Sequence, residues 1–367
     1  MRAAGLAIQR PPQAKLMVID ADGDIRHVPR TGFVDQLRSG DLVVANDAST
    51  LPASLHGGHE ASGAAIELRL AGQRSFAAAD FGEFSAVLFG AGDYRMDTEH
   101  RPAPPMVAVG ERLLFGPLTA HVLGLQNHPR LLTLRFDGAA DEIWAGLAHH
   151  GRPIQYAHLA KPLALWDVWT AVAGLPVAFE PPSAGFALDW QNLARMRERG
   201  IQFATITHAA GISSTGDRQL DLRLPFAEPY RISDATADAI RRTRVSGGRI
   251  VAIGTTVVRA LEHAAGKACA AGQVRAGDGV ADQRIGADSS LSVVDAILSG
   301  THEVDTSHFQ LLRAFTNDLT LERANAELEA RAYRTHEFGD SVLIERKHFV
   351  EAVPRRPALA SGAQSIL

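Results

Sequence analysis

The stretch Gly247-Gly-Arg-Ile-Val-Ala-Ile-Gly-Thr-Thr-Val-Val-Arg-Ala-Leu-Glu262 decides the fold class. Residues 249–253, Arg249 followed by four apolar residues, lie between glycines, which is typical of a strand buried on both faces. The small residues that follow predict a turn, and the threonines predict the first turn of a helix. A buried strand that leads directly into a helix indicates an α/β fold, and we expect this strand at the centre of its sheet.

Neighbouring segments have the same α/β pattern. The apolar run at residues 40–45 ends at Asn46 and Asp47, which predicts a second buried strand. Helical periodicity covers residues 188–199 and 234–244, and residues 201–206 predict a strand between them. In α/β sheets the carboxyl ends of the strands face the ligand, so we expect Asn46 and Asp47 at that edge.

Residues 55–148 have a different pattern. Short alternating or apolar runs are separated at nearly every junction by Gly, Pro, Asn or Asp. Closely spaced strands with such turn signals predict a small antiparallel barrel or sandwich. We therefore predict an α/β body split into residues 1–54 and 149–353, an all-β domain inserted at 55–148, and a tail at 354–367.

Composition and charge limit the function classes. The 367 residues carry 37 Lys and Arg against 41 Asp and Glu, a formal net charge of −4. The field of the whole molecule therefore does not attract a polyanion, and a nucleic-acid partner needs a local basic patch. Cys269 is the sole cysteine, which excludes an intramolecular disulfide and a metal site built from cysteines. We expect a cytoplasmic protein, and no apolar run reaches the length of a membrane span.

The helix start at Thr255 and Thr256 is the strongest candidate for a ligand site. A helix that begins after a buried strand points its free backbone N–H groups at the edge of the sheet, where they can bind an anion. Arg259 lies one turn inside this helix and can add a charged donor to a carboxylate or phosphate. The same arginine can instead pair with Glu262 at i+3, and the spacing leaves both alternatives open.

Two loops offer weaker signals. Asp340 follows Gly339 in a turn before a late strand, where it can accept hydrogen bonds from a hydroxyl or an amine, or serve the turn alone. The stiff segment Pro181-Pro-Ser-Ala-Gly185 contains small residues that let the backbone approach a ligand closely.

Histidines and short motifs complete the survey. His208, His302 and His336 lie in loops at predicted strand ends, but fifteen histidines make such placement easy by chance, and we predict no metal site. The HExxH, P-loop, GxGxxG and GxSxG motifs are absent. Hydrolase, P-loop NTPase and Rossmann dehydrogenase functions therefore lack their usual support.

The order of several motifs matches a known family. Besides the Gly-Thr-Thr block, the matching pieces are Gly40-Asp-Leu-Val-Val-Ala-Asn-Asp47 with Leu51-Pro-Ala-Ser-Leu55, Pro182-Ser-Ala-Gly185, Val294-Asp295, and Tyr333-Arg334 with Phe338-Gly-Asp340. Over residues 15–344 the chain resembles the S-adenosylmethionine:tRNA ribosyltransferase-isomerase family of queuosine biosynthesis. The resemblance implies a split α/β body with an inserted antiparallel β-barrel domain, which favours a barrel at residues 55–148.

The resemblance implies a reaction. The ribosyl part of S-adenosylmethionine is transferred and rearranged onto a 7-aminomethyl-7-deazaguanine base in tRNA, with release of adenine and methionine. S-adenosylmethionine is then a substrate, and no metal is needed because the sulfonium already acidifies the C5′ hydrogens and makes the thioether a leaving group. Arg241, Arg242 and Arg244 form a potential phosphate patch for tRNA, unless they are an ordinary solvated helix end.

The resemblance also implies roles for single residues. The implied cofactor-binding residues are Thr255, Thr256, Arg259, Asp340, Ser183 and Gly185. Of these, the two threonines and the arginine would bind the methionine carboxylate or a phosphate, and the aspartate the ribose or an amine. The residues implied for proton transfer are Glu228, His208 and His302.

Several polar positions of the family's motifs differ in this chain. Ala187 replaces the histidine of the family's P-T-A-G-L-H-F motif, and the H-x-M-H-x-E segment keeps only Glu228. A changed substrate would produce this pattern. Two alternatives therefore stand beside tRNA modification: a diverged enzyme that uses S-adenosylmethionine on a small molecule or acts on S-adenosylmethionine itself, and a non-catalytic ligand- or RNA-binding paralogue.

Overall fold

A nine-stranded mixed sheet forms the body of the protein. The computed structural model describes residues 1–266, 273–304 and 306–347, so Cys269 and the predicted tail at 354–367 lie outside the described residues. The strands are β1 (Arg2–Ala3), β2 (Lys15–Ile19), β3 (Ile25–Pro29), β4 (Leu42–Asn46), β5 (Ser49–Thr50), β6 (Ser54–His59), β7 (Ala65–Gln73), β8 (Glu83–Phe89), β9 (Arg112–Phe115), β10 (Leu118–Leu125), β11 (Leu131–Phe136), β12 (Pro176–Ala178), β13 (Gln202–His208), β14 (Glu228–Ile232), β15 (Ile250–Ile253), β16 (Gly277–Ala281), β17 (Ala296–Gly300), β18 (Arg334–Thr335) and β19 (Ser341–Glu345).

The helices flank this sheet and the barrel described below. The α-helices are α1 (Ala140–His150), α2 (Leu165–Val168), α3 (Trp190–Glu198), α4 (Arg218–Asp221), α5 (Asp234–Val245), α6 (Thr255–Ala265), α7 (Ser307–Leu312) and α8 (Asp318–Ala330). Short 3-10 helices cover Arg30–Gln36, Ala78–Asp80, Thr98–His100 and Ser183–Ala187. Within the described ranges, no helix combines the length and the apolar character that crossing a membrane requires.

The strand predicted at residues 249–253 is the central strand of the body sheet. The strand order is β16-β14-β13-β4-β15-β17-β19-β2-β3. β15 pairs in parallel with β4 on one side and with β17 on the other. The structure therefore confirms the α/β body and the central place of this strand.

Alternation along β15 buries both faces of the sheet. Ile250 and Ala252 belong to the core cluster that includes residues of α5, α6 and α8. Val251 and Ile253 belong to the cluster on the opposite face, with residues of α3 and of the 3-10 helix Arg30–Gln36. Because successive side chains of a strand point to opposite faces, an unbroken apolar run is what a strand between two layers requires.

The inserted domain is a closed antiparallel barrel. Its strand order is β10-β11-β8-β7-β6-β9, and it closes because β9 pairs with both β10 and β6. Helix α1 follows the last barrel strand, β11, and packs against β10 through Gly146, where a Cβ would lie 2.4 Å from a methyl group of Leu118. The structure thus confirms the inserted antiparallel barrel and decides against a sandwich, while the boundaries at 54/55 and 148/149 stay predictions.

The barrel shares one hydrophobic core with part of the body. Phe84 of β8 packs edge-on against Phe179 of the body, with ring centroids 6.2 Å apart. Ala210, Ile212 and Leu224, from body loops, belong to the same buried cluster. The barrel therefore supports the body loops that follow β12 and β13.

A buried charge cluster joins the starts of the central strands. Arg249, just before β15, pairs with Asp41 at 2.6 Å and with Glu345 at 2.8 Å. Asp41 precedes β4, is 2% exposed and also accepts the backbone N–H of Arg38 at 2.8 Å. Since β19 runs antiparallel to β17, its last residue, Glu345, lies at the same edge of the sheet.

Replacing Arg249 with Leu should lower the free energy of unfolding by about 3–5 kcal/mol, because the buried Asp41 loses its cation and Glu345 keeps only the exposed Arg38, at 3.1 Å. Urea unfolding followed by circular dichroism measures the change. The matched control is Arg241→Leu, whose guanidinium is 58% exposed and pairs with Asp238 at the surface. The control substitution should lower the free energy of unfolding by less than about 1 kcal/mol. Equal losses in the two variants would contradict the role given to this cluster.

Candidate active site

A cavity lies at the carboxyl ends of the central parallel strands. Ile253 ends β15 and Ser299 and Gly300 end β17, and all three line the cavity. The remaining walls come from the segment before the 3-10 helix at Ser183, the loop after β13, the start of β14 and helices α6 and α7. This edge of an α/β sheet is where ligands bind, because the loops that follow the strands meet there.

The first turn of α6 forms one wall. Gly254 caps this helix with φ 93°, a left-handed conformation that favours glycine. Thr255 and Thr256 follow and both line the cavity. The first N–H groups of a helix have no partner inside it, and the helix dipole places partial positive charge there. The wall therefore offers backbone donors and two hydroxyl groups to an anion.

Arg259 lies in a buried ion pair with Glu228 of β14. Its guanidinium also donates to the carbonyl oxygens of Phe226 at 3.1 Å and Ala281 at 2.8 Å. The predicted alternative, a surface pair with Glu262, does not form: the Glu262 carboxylate accepts N–H groups of residues 292–294. Arg259 lines the cavity, but most of its donors already serve the protein.

Glu228 and His208 are adjacent, and Glu228 alone of the two lines the cavity. Besides its pair with Arg259, Glu228 accepts the Gly211 N–H at 2.6 Å through Oε1. Burial raises the pKa of Glu228, and Arg259 and the Gly211 N–H oppose that rise. The His208 Nε2 lies 3.5 Å from Oε2 of Glu228. His208 is fully buried, and burial together with the charge of Arg259 holds its pKa well below the usual range, so the ring is neutral.

His302 lines the cavity together with a second histidine that the sequence survey missed, His308 of α7. Their rings stack with centroids 4.7 Å apart, and Nε2 of His302 lies 3.0 Å from the Ser299 hydroxyl. Burial and its histidine neighbours hold the pKa of His302 well below the usual range, and burial followed by Arg259 lowers the pKa of His308 to about 4. Both rings are therefore neutral at pH 7.

The Pro181-Pro-Ser-Ala-Gly185 segment divides between the cavity and the core. Ser183 lines the cavity. Gly185 does not: a Cβ at this position would lie 3.0 Å from a methyl group of Thr170, so its small size serves packing. Ala187, the position at which the family has a histidine, is 5% exposed in the apolar cluster under the sheet and is also outside the cavity wall.

Asp340 lies outside the cavity and holds the backbone together. One carboxylate oxygen accepts the N–H of Lys15 at 2.7 Å and the other the N–H of Arg334 at 2.8 Å. The side chain is 6% exposed, and the buried Arg30 faces its charge. Both oxygens join β2 to β18 and Asp340 does not line this cavity, so its contact with a ligand stays a prediction.

Glu180 is a further cavity residue that the sequence survey missed. Its Oε2 accepts the N–H of Ser213 at 3.1 Å, and the side chain is 8% exposed. Burial, and then the neighbouring carboxyl group of Glu337, raise the pKa of Glu180 to about 8. The only sequence signal was its position directly before the Pro181-Pro182 turn.

The predicted arginine patch lies at the wrong edge of the sheet for this cavity. Helix α5 ends just before β15 begins, whereas the cavity lies where β15 ends. Arg241 pairs with Asp238 at 3.0 Å, and Arg244 donates to the carbonyl oxygens of Ser292 and Val293. Arg284, which is exposed and lines the cavity, is a cation on the correct edge.

Two groups among the described residues bring three potential metal ligands within 4.8 Å of one another, and none of their members lines the cavity. In the first, the rings of His158 and His336 stack 4.5 Å apart with 26° between their planes, near Glu337. The second group, Asp97, Glu99 and His100, is exposed. The expectation that no metal is used stays a prediction.

Comparison with known proteins gives a family. The model of the family described as queuosine biosynthesis protein matches residues 2–344. The S-adenosylmethionine:tRNA ribosyltransferase-isomerase of Citrifermentans bemidjiense is 31% identical over 348 residues, which cover 91% of this chain and 94% of the relative. The enzyme of the same name from Anaeromyxobacter sp. strain K is 31% identical over 358 residues, 94% of this chain and 96% of the relative.

A solved structure titled as an S-adenosylmethionine tRNA ribosyltransferase from Thermotoga maritima aligns with a TM-score of 0.49 and 23% identity, covering 93% of this chain and 96% of that one. The family match over residues 2–344 agrees with the resemblance seen in the motifs. The chain therefore belongs to the queuosine biosynthesis protein family.

Proposed function

We propose that this protein transfers and rearranges the ribosyl part of S-adenosylmethionine onto a 7-deazaguanine base in tRNA, with release of adenine and methionine. The observation that carries the proposal is the position of the Gly-Thr-Thr block, the most family-specific stretch, in the wall of the cavity at the carboxyl edge of the sheet. Family membership over residues 2–344 and the names of the relatives support it. S-adenosylmethionine is a substrate in this proposal, and the reaction needs no metal.

The start of α6 is the proposed site for the methionine carboxylate, or for a phosphate. Its free N–H groups and the hydroxyls of Thr255 and Thr256 offer several donors to one anion. Arg259 adds a positive charge near this anion site, and its ion pair with Glu228 also has a structural role. By tying α6 to β14, the pair fixes where the helix begins.

His302 is the best placed of the proposed proton-transfer residues. The reaction needs a base, because a C5′ hydrogen next to the sulfonium must be removed. His302 is neutral, lines the cavity and is oriented by Ser299, with His308 stacked on it. Glu228 is held by Arg259, and His208 lies behind the wall, so both are better suited to support the site than to exchange protons with a substrate.

The acceptor in this proposal is tRNA, and the cytoplasm is the compartment in which we place the reaction. A net charge of −4 does not steer a polyanion, so phosphate contacts must be local. Arg284 at the cavity lining is the first residue to test for such a contact. Arg241 and Arg244 are poorer candidates for a phosphate contact, because they lie at the opposite edge of the sheet. Their guanidinium groups bind Asp238 and backbone carbonyl oxygens there.

The proposed reaction predicts that adenine and methionine appear only when tRNA is present. Purified protein is incubated with S-adenosylmethionine, with and without tRNA that carries the 7-aminomethyl base, and mass spectrometry measures adenine, methionine and the modified nucleoside. Adenine release without tRNA would point to the small-molecule alternative. Binding without any release would point to the non-catalytic paralogue, and either result would refute tRNA modification.

The α6 site predicts weaker S-adenosylmethionine binding in Thr255→Val and Thr256→Val. Each change removes a hydroxyl from the cavity wall and keeps the side-chain shape, so we expect a loss of about 1 kcal/mol, or about fivefold in Kd. Calorimetry measures Kd. The control is Thr119→Val on barrel strand β10, which is outside the cavity and should bind as wild type does. If both α6 variants bound S-adenosylmethionine with wild-type affinity, the proposal that the methionine carboxylate binds at the start of α6 would be wrong.

A further inference from the structure

Glu180 differs from the other carboxyl group of the cavity. Among the described residues that line the cavity, Glu180 and Glu228 are the acidic ones. Glu228 pairs with Arg259, whereas Glu180 accepts the Ser213 N–H and forms no ion pair with any residue that the structure describes. Glu180 therefore has the freer carboxyl group of the two.

A second buried carboxyl group stands behind Glu180. Glu337 has a side chain that is 13% exposed, and its Oε2 has no hydrogen-bond partner among the described residues. The buried hydroxyl of Tyr156 faces Glu337, and burial, followed by the charges of Glu180 and Glu337, raises its pKa. His158 stands 3.9 Å from Glu337 and is stacked on His336. Glu180 in the wall and Glu337 behind it are thus two neighbouring carboxyl groups in a largely buried setting.

Burial and the neighbouring charge of Glu337 favour the protonated form of Glu180. Burial disfavours ionisation of each group, and ionisation of one raises the pKa of the other. The groups that face Glu180 are Glu337, Tyr156, Arg69 and Ser213, and across the cavity stand Glu228, Arg259, Arg284, His302 and His308. Of these, Arg69 and the Ser213 N–H favour the ionised form of Glu180, yet its pKa remains raised to about 8.

We propose that Glu180 is the general acid of this active site, which protonates the purine nitrogen as adenine leaves. The inference rests on the proposed function. The bond between the ribosyl carbon and the purine nitrogen breaks with its electron pair on nitrogen, and that pair takes the Glu180 proton. A lone pair of the ring oxygen stabilises the electron-deficient carbon, and Glu180 becomes a carboxylate. Neutral adenine is then a far better leaving group than its anion.

Glu337 is a positioning residue in this proposal. It does not line the cavity, and it acts through Glu180 by keeping that group protonated. The rate of adenine release should therefore fall as pH rises through about 8, because the acid must be protonated. Removing the Glu337 charge should move this decline to lower pH, since Glu180 then ionises more easily.

The experiment measures adenine release against pH for wild type, Glu180→Gln, Glu337→Gln and the control Glu322→Gln, an exposed glutamate on α8. Glu180→Gln should lose about 100-fold or more in kcat while it binds S-adenosylmethionine as wild type does. Its remaining rate should lack the decline near pH 8. Infrared spectroscopy of the unliganded protein should show a protonated carboxyl band that Glu180→Gln removes, and Glu322→Gln should change neither readout.

The results separate two kinds of failure. If wild type releases adenine and Glu180→Gln does so at a similar rate with the same pH profile, the general acid is another group and the proposed function stands. If wild type releases no adenine, the proposed function is wrong, and the proposal that Glu180 is the general acid is then wrong as well. Should Glu180→Gln fail to fold, an unshifted pH profile in Glu337→Gln would still overturn the proposal.

Discussion

The buried ion pair between Arg259 and Glu228 is the interaction on which the site depends. The two residues are 4% and 6% exposed, and they join helix α6 to strand β14. Arg259 also binds the Phe226 and Ala281 carbonyl oxygens, and Glu228 the Gly211 N–H. Because a buried charge without its partner costs several kcal/mol, the pair fixes α6 so that its first turn opens into the cavity.

The inserted barrel helps to set the same wall. At Gly211 a Cβ would lie 2.9 Å from the Glu228 carboxylate and 3.1 Å from the Ala71 carbonyl oxygen of barrel strand β7, so no side chain fits there. The loop is thereby held with the Gly211 N–H on Glu228 and the Ser213 N–H on Glu180. One short loop, packed against the barrel, thus supports both cavity carboxyl groups.

The fold could be predicted from the sequence because burial leaves a local pattern. The apolar run of β15 and the dense turn signals of the barrel each reflect the layer in which those residues lie. The ion pair of Arg259 could not be predicted from the sequence, because its partner Glu228 lies 31 positions away in the chain. Local spacing offered only a ligand or Glu262 as the partner. The place of Asp340 outside the cavity could not be predicted either, because its bond to Lys15 joins positions 325 apart in the chain. Glu180 had no motif of its own, and the causes of its raised pKa, burial and then the charge of Glu337, exist only in the folded chain.

A double-mutant cycle on Arg259 and Glu228 tests the central claim most directly. The free energy of unfolding is measured for Arg259→Met, Glu228→Gln and the double variant. If the pair is the buried link between α6 and β14, each single change costs about 3–5 kcal/mol, because one polar group loses its partner. The double change should then cost less than the sum by about 1–3 kcal/mol. Losses that add to within about 0.5 kcal/mol would show that the two residues act independently and would contradict the account.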